Sequence, residues 1–287
     1  MTTEIFFLPG QDGQRLCLYH PAVKTGAHAS RGRVVYVHPL AEEMNKSRRM
    51  AARQSRSLAS AGFDVLQIDL LGCGDSSGDF CDASWAAWLE DVVSACLWLR
   101  ARTDADLGRA KRPPLWLWGL RAGCLLAAQA AIAIPDEPCS FLFWAPPSSG
   151  KTLLQQFLRL KAAADLTSGN SKIVMDALRN DLANDRAVEI AGYVLAPALA
   201  IGLEQSTLKP PRTGAGASRV EWFELSTRAD AGLSPVATKI IADWAQAGYV
   251  TRSYLVPGPS FWQTSEIEDA PELVTATTAA LLEAGTA

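Results

Sequence analysis

The stretch Leu115-Trp-Leu-Trp-Gly-Leu-Arg-Ala-Gly-Cys-Leu-Leu-Ala-Ala128 decides how this chain folds. A short apolar run reaches Gly119, and a helical pattern of small and apolar residues follows from Ala122. Between them, Gly119-Leu120-Arg121-Ala122-Gly123 has the spacing of a Gly-x-Ser-x-Gly elbow. In such an elbow small flanking residues let a strand turn sharply into a helix and leave the central side chain exposed. The centre here is Arg121. A guanidinium holds its proton to above about pH 12 and presents five donors, so at this turn it is a cation and not a nucleophile.

Outward from the elbow, strands and helices alternate. Upstream, RVVYVHP (33–39) is a β-branched strand stopped by proline, a helix is expected over 46–61, and FDVLQIDL (63–70) is the next buried strand. Ser84 suits the N-cap of a helix running to about residue 100. Residues 4–8 and 15–20 alternate around Gly10-Gln-Asp-Gly13 and predict an N-terminal hairpin. Downstream of helix 121–134, strand 140–145 follows, and VEWFEL (220–225) and VTRSYLV (250–256) supply the last two strands. Helices at about 234–247 and 271–283 accompany them. This alternation predicts an α/β fold with a mostly parallel sheet of about eight strands flanked by helices. Ligands of such sheets bind at the carboxyl ends of the strands, and the loops considered below leave those ends.

The alternation breaks after the sixth strand. From Ser148 to about Arg212 the sequence offers three helical patterns (KTLLQQFLRLKAAADL, KIVMDALRNDLAN and VEIAGYVLAPALAIGLEQ) and no convincing strand. The expectation is a helical cap at 148–212 over the sheet's carboxyl edge, returned to the core by the linker KPPRTGAGAS. Residues 1–147 and 213–287 would then form the core.

Bulk properties narrow the partners. With 287 residues, 48% hydrophobic and 20% charged, the chain can bury one large core. A formal charge of −3 with no basic stripe excludes nucleic acid as an expected partner. The basic cluster Lys46, Arg48, Arg49, Arg53 and Arg56 reads as a solvated helix face. Six cysteines without a CxxC pair point to a reducing compartment and against a disulfide framework or zinc. No secretory start is visible, and the apolar run 115–134 is interrupted by Arg121 and Gln129, so a cytoplasmic protein without a membrane span or cofactor is expected.

Acyl transfer at the elbow would need an imidazole base on the loop after the last strand and an acid to orient it. That loop reads V-P-G-P-S-F-W-Q (256–263), with Pro259 or Ser260 at the base position. The chain has only His20, His28 and His38. His38 ends a strand beside the expected site, where its simpler role is to order the loop through hydrogen bonds. Asp230, after strand 220–225, stands at the acid position; without an imidazole to orient it is expected to cap its turn or pair with Arg228. The glycine-rich segment 69–78 reads as a tight turn stabilised by Asp75 and Ser76, and Cys73 within it is a weak substitute nucleophile.

Several blocks carry a family likeness: HPLAEEMNKSRRM (38–50), GCGDSSGDF (72–80), WGLRAG (118–123), SGKTLLQQFLRL (149–160) and GPSFWQTSEIE (258–268). The chain resembles the α/β-hydrolase superfamily, and within it the second type of exosortase A system-associated hydrolase. That branch is encoded near PEP-CTERM sorting and exopolysaccharide genes of Gram-negative bacteria. The resemblance implies an α/β-hydrolase fold in which arginine at the elbow is a habit of the branch. It maps the oxyanion-hole amides to Leu40 and Ala122, with Pro39 replacing the usual glycine of the first loop.

Two functional expectations follow. In one, Arg121 at a helix N-terminus binds an anion: an acidic small molecule, or a uronic acid, lipid-linked sugar phosphate or protein C-terminus, as the branch's gene neighbourhood implies. The competing structural role is an ion pair with Glu42, Glu43, Glu266 or Glu268. In the other, relocated residues (Ser76, Ser148, Ser149, Ser260 or Cys73) run ester or thioester hydrolysis.

Overall fold

The computed structural model describes residues 2–23, 30–107, 112–134, 137–164, 171–211 and 218–284. Strands β1 (Glu4–Gly10) and β2 (Gly13–His20) form the expected antiparallel hairpin, and β2 pairs antiparallel with β4 (Phe63–Ile68). From β4 onward the pairing is parallel, through β3 (Gly32–Val37), β5 (Leu115–Leu120), β6 (Cys139–Trp144), β9 (Arg219–Ser226) and β10 (Val250–Pro257). The order across the eight-stranded sheet is β1-β2-β4-β3-β5-β6-β9-β10. All six residues of β3, β5 and β6 are buried, as expected of central strands covered on both faces.

Helices cover both faces. On one lie α1 (Glu42–Ser60) and α8 (Pro271–Ala284), whose Met50, Leu58, Leu273 and Leu281 pack against Trp116, Trp118, Leu142 and Trp144. On the other, α2 (Trp85–Leu107), α3 (Ala122–Ala133) and α7 (Pro235–Gln246) bury Trp88, Val92, Leu125 and Trp244 against the sheet's opposite side chains. Ser84 caps α2 as expected, its Oγ accepting from the Ala87 amide at 3.1 Å. The chain steps from β4 back across β3 to β5, so the strand order reverses beside the elbow. Ligands of open α/β sheets bind at such a reversal.

Between β6 and β9 the chain forms α4 (Gly150–Ala164), α5 (Ser171–Ala183), a two-stranded hairpin of β7 (Val188–Ile190) and β8 (Tyr193–Leu195), and α6 (Pro197–Gln205). The expectation of helix throughout VEIAGYVL was wrong. Ala191 and Gly192 both take left-handed φ values, 51° and 86°, and the pairing of Ile190 with Tyr193 closes a two-residue turn. Helix formation resumes only at Pro197, the first residue of α6.

One boundary also changes. Helix α1 starts at Glu42, four residues earlier than expected, behind an Ala41 N-cap that supplies no side-chain hydrogen bond. The basic cluster on α1 is the solvated face expected, with Arg48, Arg49 and Arg53 exposed to 40%, 52% and 37%, and it also carries surface ion pairs. Arg49 and Arg53 each reach Asp269 at 2.8 Å, Arg48 reaches Asp69 at 2.9 Å, and Lys46 donates to the Thr264 carbonyl at 2.8 Å. The contacts to Asp269 and Thr264 tie the loop after β10 to α1, and the Asp69 contact ties the loop after β4 to it. Among the described residues, no helix is long and apolar enough to cross a membrane.

Candidate functional site

The elbow is as sharp as its glycines imply. Arg121 sits between β5 and α3 at φ 53° and ψ −116°, and its amide donates to the Trp144 carbonyl at 3.0 Å. A Cβ on Gly119 would lie 2.5 Å from Cys124 Cα, and one on Gly123 only 2.1 Å from the Val37 carbonyl oxygen. Both positions therefore require glycine. A non-glycine residue in this backbone region costs about 1–3 kcal/mol, and such strain gathers at functional sites. Ala41, at the start of α1, holds nearly the same conformation, φ 51° and ψ −129°. Two strained turns thus begin two helices at adjacent strand ends, β3 and β5.

Ala41 brings the first turn of α1 to the elbow. Glu43, in that turn, accepts from Arg121 Nε at its Oε1, 3.3 Å away. Arg121 Nη2 donates to Gln156 Oε1 of α4 at 2.7 Å, and the guanidinium carbon lies 5.8 Å from the centroid of the Trp262 ring. Gln263 donates from Nε2 to the same Glu43 oxygen at 3.4 Å. Of the four acids considered for Arg121, Glu43 is the partner. Glu42 instead accepts from Asn45 and from the Tyr193 hydroxyl, and Glu266 and Glu268 are exposed. The Arg121 and Glu43 side chains retain 11% and 20% of their accessible surface, so neither is fully sealed from solvent. Glu43 and Gln156, the two hydrogen-bond partners of Arg121, line a cavity of about 390 Å³ whose walls also include Leu40, Lys46, Leu153, Phe157, Leu160 and Trp262; Arg121 itself is not among the wall residues.

Burial pushes the Glu43 carboxyl above the ordinary carboxylate range; the Arg121 charge and the Gln263 hydrogen bond pull the other way without cancelling it. Leu40 and Ala122, the residues mapped to the oxyanion hole, are both buried at this edge. His38 is buried too, and both its ring nitrogens are engaged. The Leu70 amide can only donate, so Nε2 at 3.2 Å accepts, and the proton is on Nδ1, which donates to the Pro39 carbonyl at 2.8 Å. Burial lowers its pKa further, which keeps the ring neutral. His38 orders the loop. His20, the other histidine among the described residues, bonds Thr3 through Nδ1 at 3.1 Å, while His28 lies outside them.

Asp230 is exposed and bound bidentately by Arg228, at 3.2 and 2.8 Å, which holds its carboxyl below the usual range. Ser260 is exposed, and its carbonyl accepts from the Gln263 amide at 2.8 Å. The loop that would carry a base thus delivers Trp262 and Gln263 to the elbow instead. The other candidate nucleophiles are occupied. Ser76 donates to the Asp69 carbonyl at 2.6 Å and accepts from the Leu16 amide at 2.9 Å. Ser149 accepts from the Thr152 amide at 3.3 Å, and Ser148 lies 3.4 Å from the Thr152 hydroxyl. Burial pushes the Cys73 thiol far up, which suppresses the thiolate. The glycine-rich turn is held by Ser76 and Asp69 in place of Asp75: Asp69 Oδ2 accepts from Arg48 at 2.9 Å and from the Asp75 amide at 3.3 Å.

The sequence reading passed over Gln156, Trp262 and Gln263. Their signal lay in the blocks LLQQF and SFWQ, but nothing local says that α4 and the last loop meet at residue 121.

Residues 28–193, more than half of the chain, match the serine aminopeptidase S33 family. The chain belongs to that family. A human relative, Protein ABHD12B, is 27% identical over 213 residues, 71% of this chain and 53% of the relative. The chain therefore spans about half the length of that relative. A soluble variant of monoglyceride lipase from Saccharomyces cerevisiae superposes with a TM-score of 0.64 at 14% identity, covering 100% of this chain and 97% of the lipase. Est1E from Butyrivibrio proteoclasticus, in its ferulic acid complex, gives 0.63 at 12% identity, covering 97% and 98%. At such identities the likeness shows the fold, which is the expected α/β-hydrolase fold. In this S33-family chain, the elbow of that fold carries a guanidinium bonded to two residues of the cavity wall, Glu43 and Gln156.

Proposed function

We propose that this S33-family chain is a binding or accessory protein on a hydrolase scaffold, holding an anionic group at Arg121. The observation that carries this reading is the guanidinium itself. It stands at a strained elbow directly behind two residues of a cavity wall, Glu43 and Gln156, with one long carboxylate contact and no protein partner for Nη1 among the described residues. A planar cation with a free edge suits a carboxylate or phosphate. The five sequence blocks support placing the chain in the exosortase A-associated branch, and so a cytoplasmic role near exopolysaccharide synthesis with an acidic or saccharide-linked ligand. Residues 148–212 act as the cap, because α4 contributes Leu153, Gln156, Phe157 and Leu160 to the cavity wall.

Family membership favours a second reading, carboxylic ester or thioester hydrolysis with relocated residues. The hydrogen bonds of Ser76 and Ser149 and the buried thiol of Cys73 weigh against it. Loss of a base alone removes a factor of about 10² to 10⁴.

Thermal unfolding with glucuronate, phosphate or decanoate separates the two. A ligand that binds the folded state raises the melting temperature with its concentration. At least one of these anions should raise that of the wild type and leave that of Arg121→Ala unmoved. Equal shifts in both proteins would place anion binding elsewhere.

A further inference from the structure

Any anion reaching Arg121 meets a rival already in place. Glu43 is held weakly: its Oε1 takes both of the long contacts, 3.3 Å from Arg121 Nε and 3.4 Å from Gln263 Nε2. Its Oε2 is buried with no hydrogen-bond partner. A buried carboxylate oxygen without a donor is costly, whereas a protonated carboxyl in the same place carries a donor of its own. The guanidinium has spare capacity, because Nη2 is spent on Gln156 and Nη1 on no described residue.

We infer that a carboxylate ligand enters this site together with one proton from solvent, taken up by Glu43 as the ligand displaces it from Arg121. This rests on the anion-binding reading above. The only bond formed is the O–H of Glu43, and the charge of the site is the same before and after: one guanidinium, one carboxylate. The neutral Glu43 can then donate to the incoming carboxylate. Leu40, Leu153, Phe157 and Leu160 make the adjoining wall apolar, so the ligand class is a monocarboxylate with an apolar portion.

The other charged and titratable groups around Glu43 are engaged with other partners. On α1, Glu42 is held by Asn45 and the Tyr193 hydroxyl, and Lys46 is engaged with the Thr264 carbonyl. From α4 and the loop after β10 come the neutral Gln156, Trp262 and Gln263. Behind the elbow, His38 has both ring nitrogens bonded, and the Cys124 thiol is buried and pushed far up. Burial has already raised the Glu43 carboxyl, and removing its one cation raises it further.

The test is calorimetric titration of the whole chain with decanoate, at about pH 6 to 8, in buffers of low and high ionisation enthalpy. Uptake of close to one proton per ligand is expected, with Kd weakening by up to about tenfold per pH unit above the titration of free Glu43. Glu43→Gln should take up none and bind more tightly than wild type at the alkaline end. Wild-type binding without proton uptake, or the same uptake in Glu43→Gln, overturns the inference and leaves the anion site standing. Absence of decanoate binding in both proteins overturns the carboxylate site and the inference with it.

Discussion

At Arg121 a permanent charge sits where the fold usually presents a hydroxyl, and one buried carboxylate answers it imperfectly. Removing one member of such a pair leaves the other uncompensated, while replacing both can be nearly neutral. Fully buried pairs lose about 3–5 kcal/mol when one partner is removed. Here the side chains keep 11% and 20% exposure, so the loss should be smaller. Arg121→Met should therefore destabilise the chain by about 1–3 kcal/mol in urea unfolding, and adding Glu43→Gln should recover most of that. Strict additivity of the two substitutions would show that the pair is not coupled. Arg121 was legible from two glycines at elbow spacing, because that spacing has a steric cause: the Val37 carbonyl leaves no room for a Cβ at Gly123. Its partners were not legible. Glu43 stood among four acids, and only the strained Ala41, which carries no cap signature, starts α1 early enough to turn Glu43 toward the elbow.

At the scale of elements, the segment between β6 and β9 is seated by close approaches of small residues. A Cβ on Gly202 of α6 would lie 2.2 Å from the Trp85 Cβ at the start of α2, and one on Gly150 of α4 would lie 1.7 Å from the Leu203 carbonyl oxygen. Glycine in these helices is explained by packing, against its low intrinsic helix propensity. Gly202→Val should push α6 off α2 and lower stability by about 1–3 kcal/mol, the usual range for overpacking. An unchanged melting temperature would mean that α6 does not rest on Trp85. The strands of the core were legible because each is a short apolar or β-branched run between turn residues, and the helices showed their period. The β7–β8 hairpin was not. Its two strands are three residues each, too short to show a period of two, and the turn is the unremarkable pair Ala191-Gly192.

For the molecule as a whole, the fold and the chemistry were legible to different depths. Buried apolar runs were enough to predict a mostly parallel sheet of about eight strands, whereas the order β1-β2-β4-β3-β5-β6-β9-β10 came only with the structure. A site assembled from Glu43, Arg121, Gln156 and Trp262 draws on the ends of two strands, one inserted helix and the last loop, and no local pattern records such a meeting. What the sequence does carry is the absence of an imidazole at residues 259–260, and the structure places Trp262 and Gln263 of the same loop at the elbow. The most direct measurement is turnover of p-nitrophenyl butyrate by the wild-type chain and by Arg121→Ser. Neither should exceed the uncatalysed rate measurably, because restoring the hydroxyl does not restore a base. A wild-type kcat/KM within a few tenfold of about 10⁴ M⁻¹s⁻¹, the lower end for ordinary enzymes, would contradict the account.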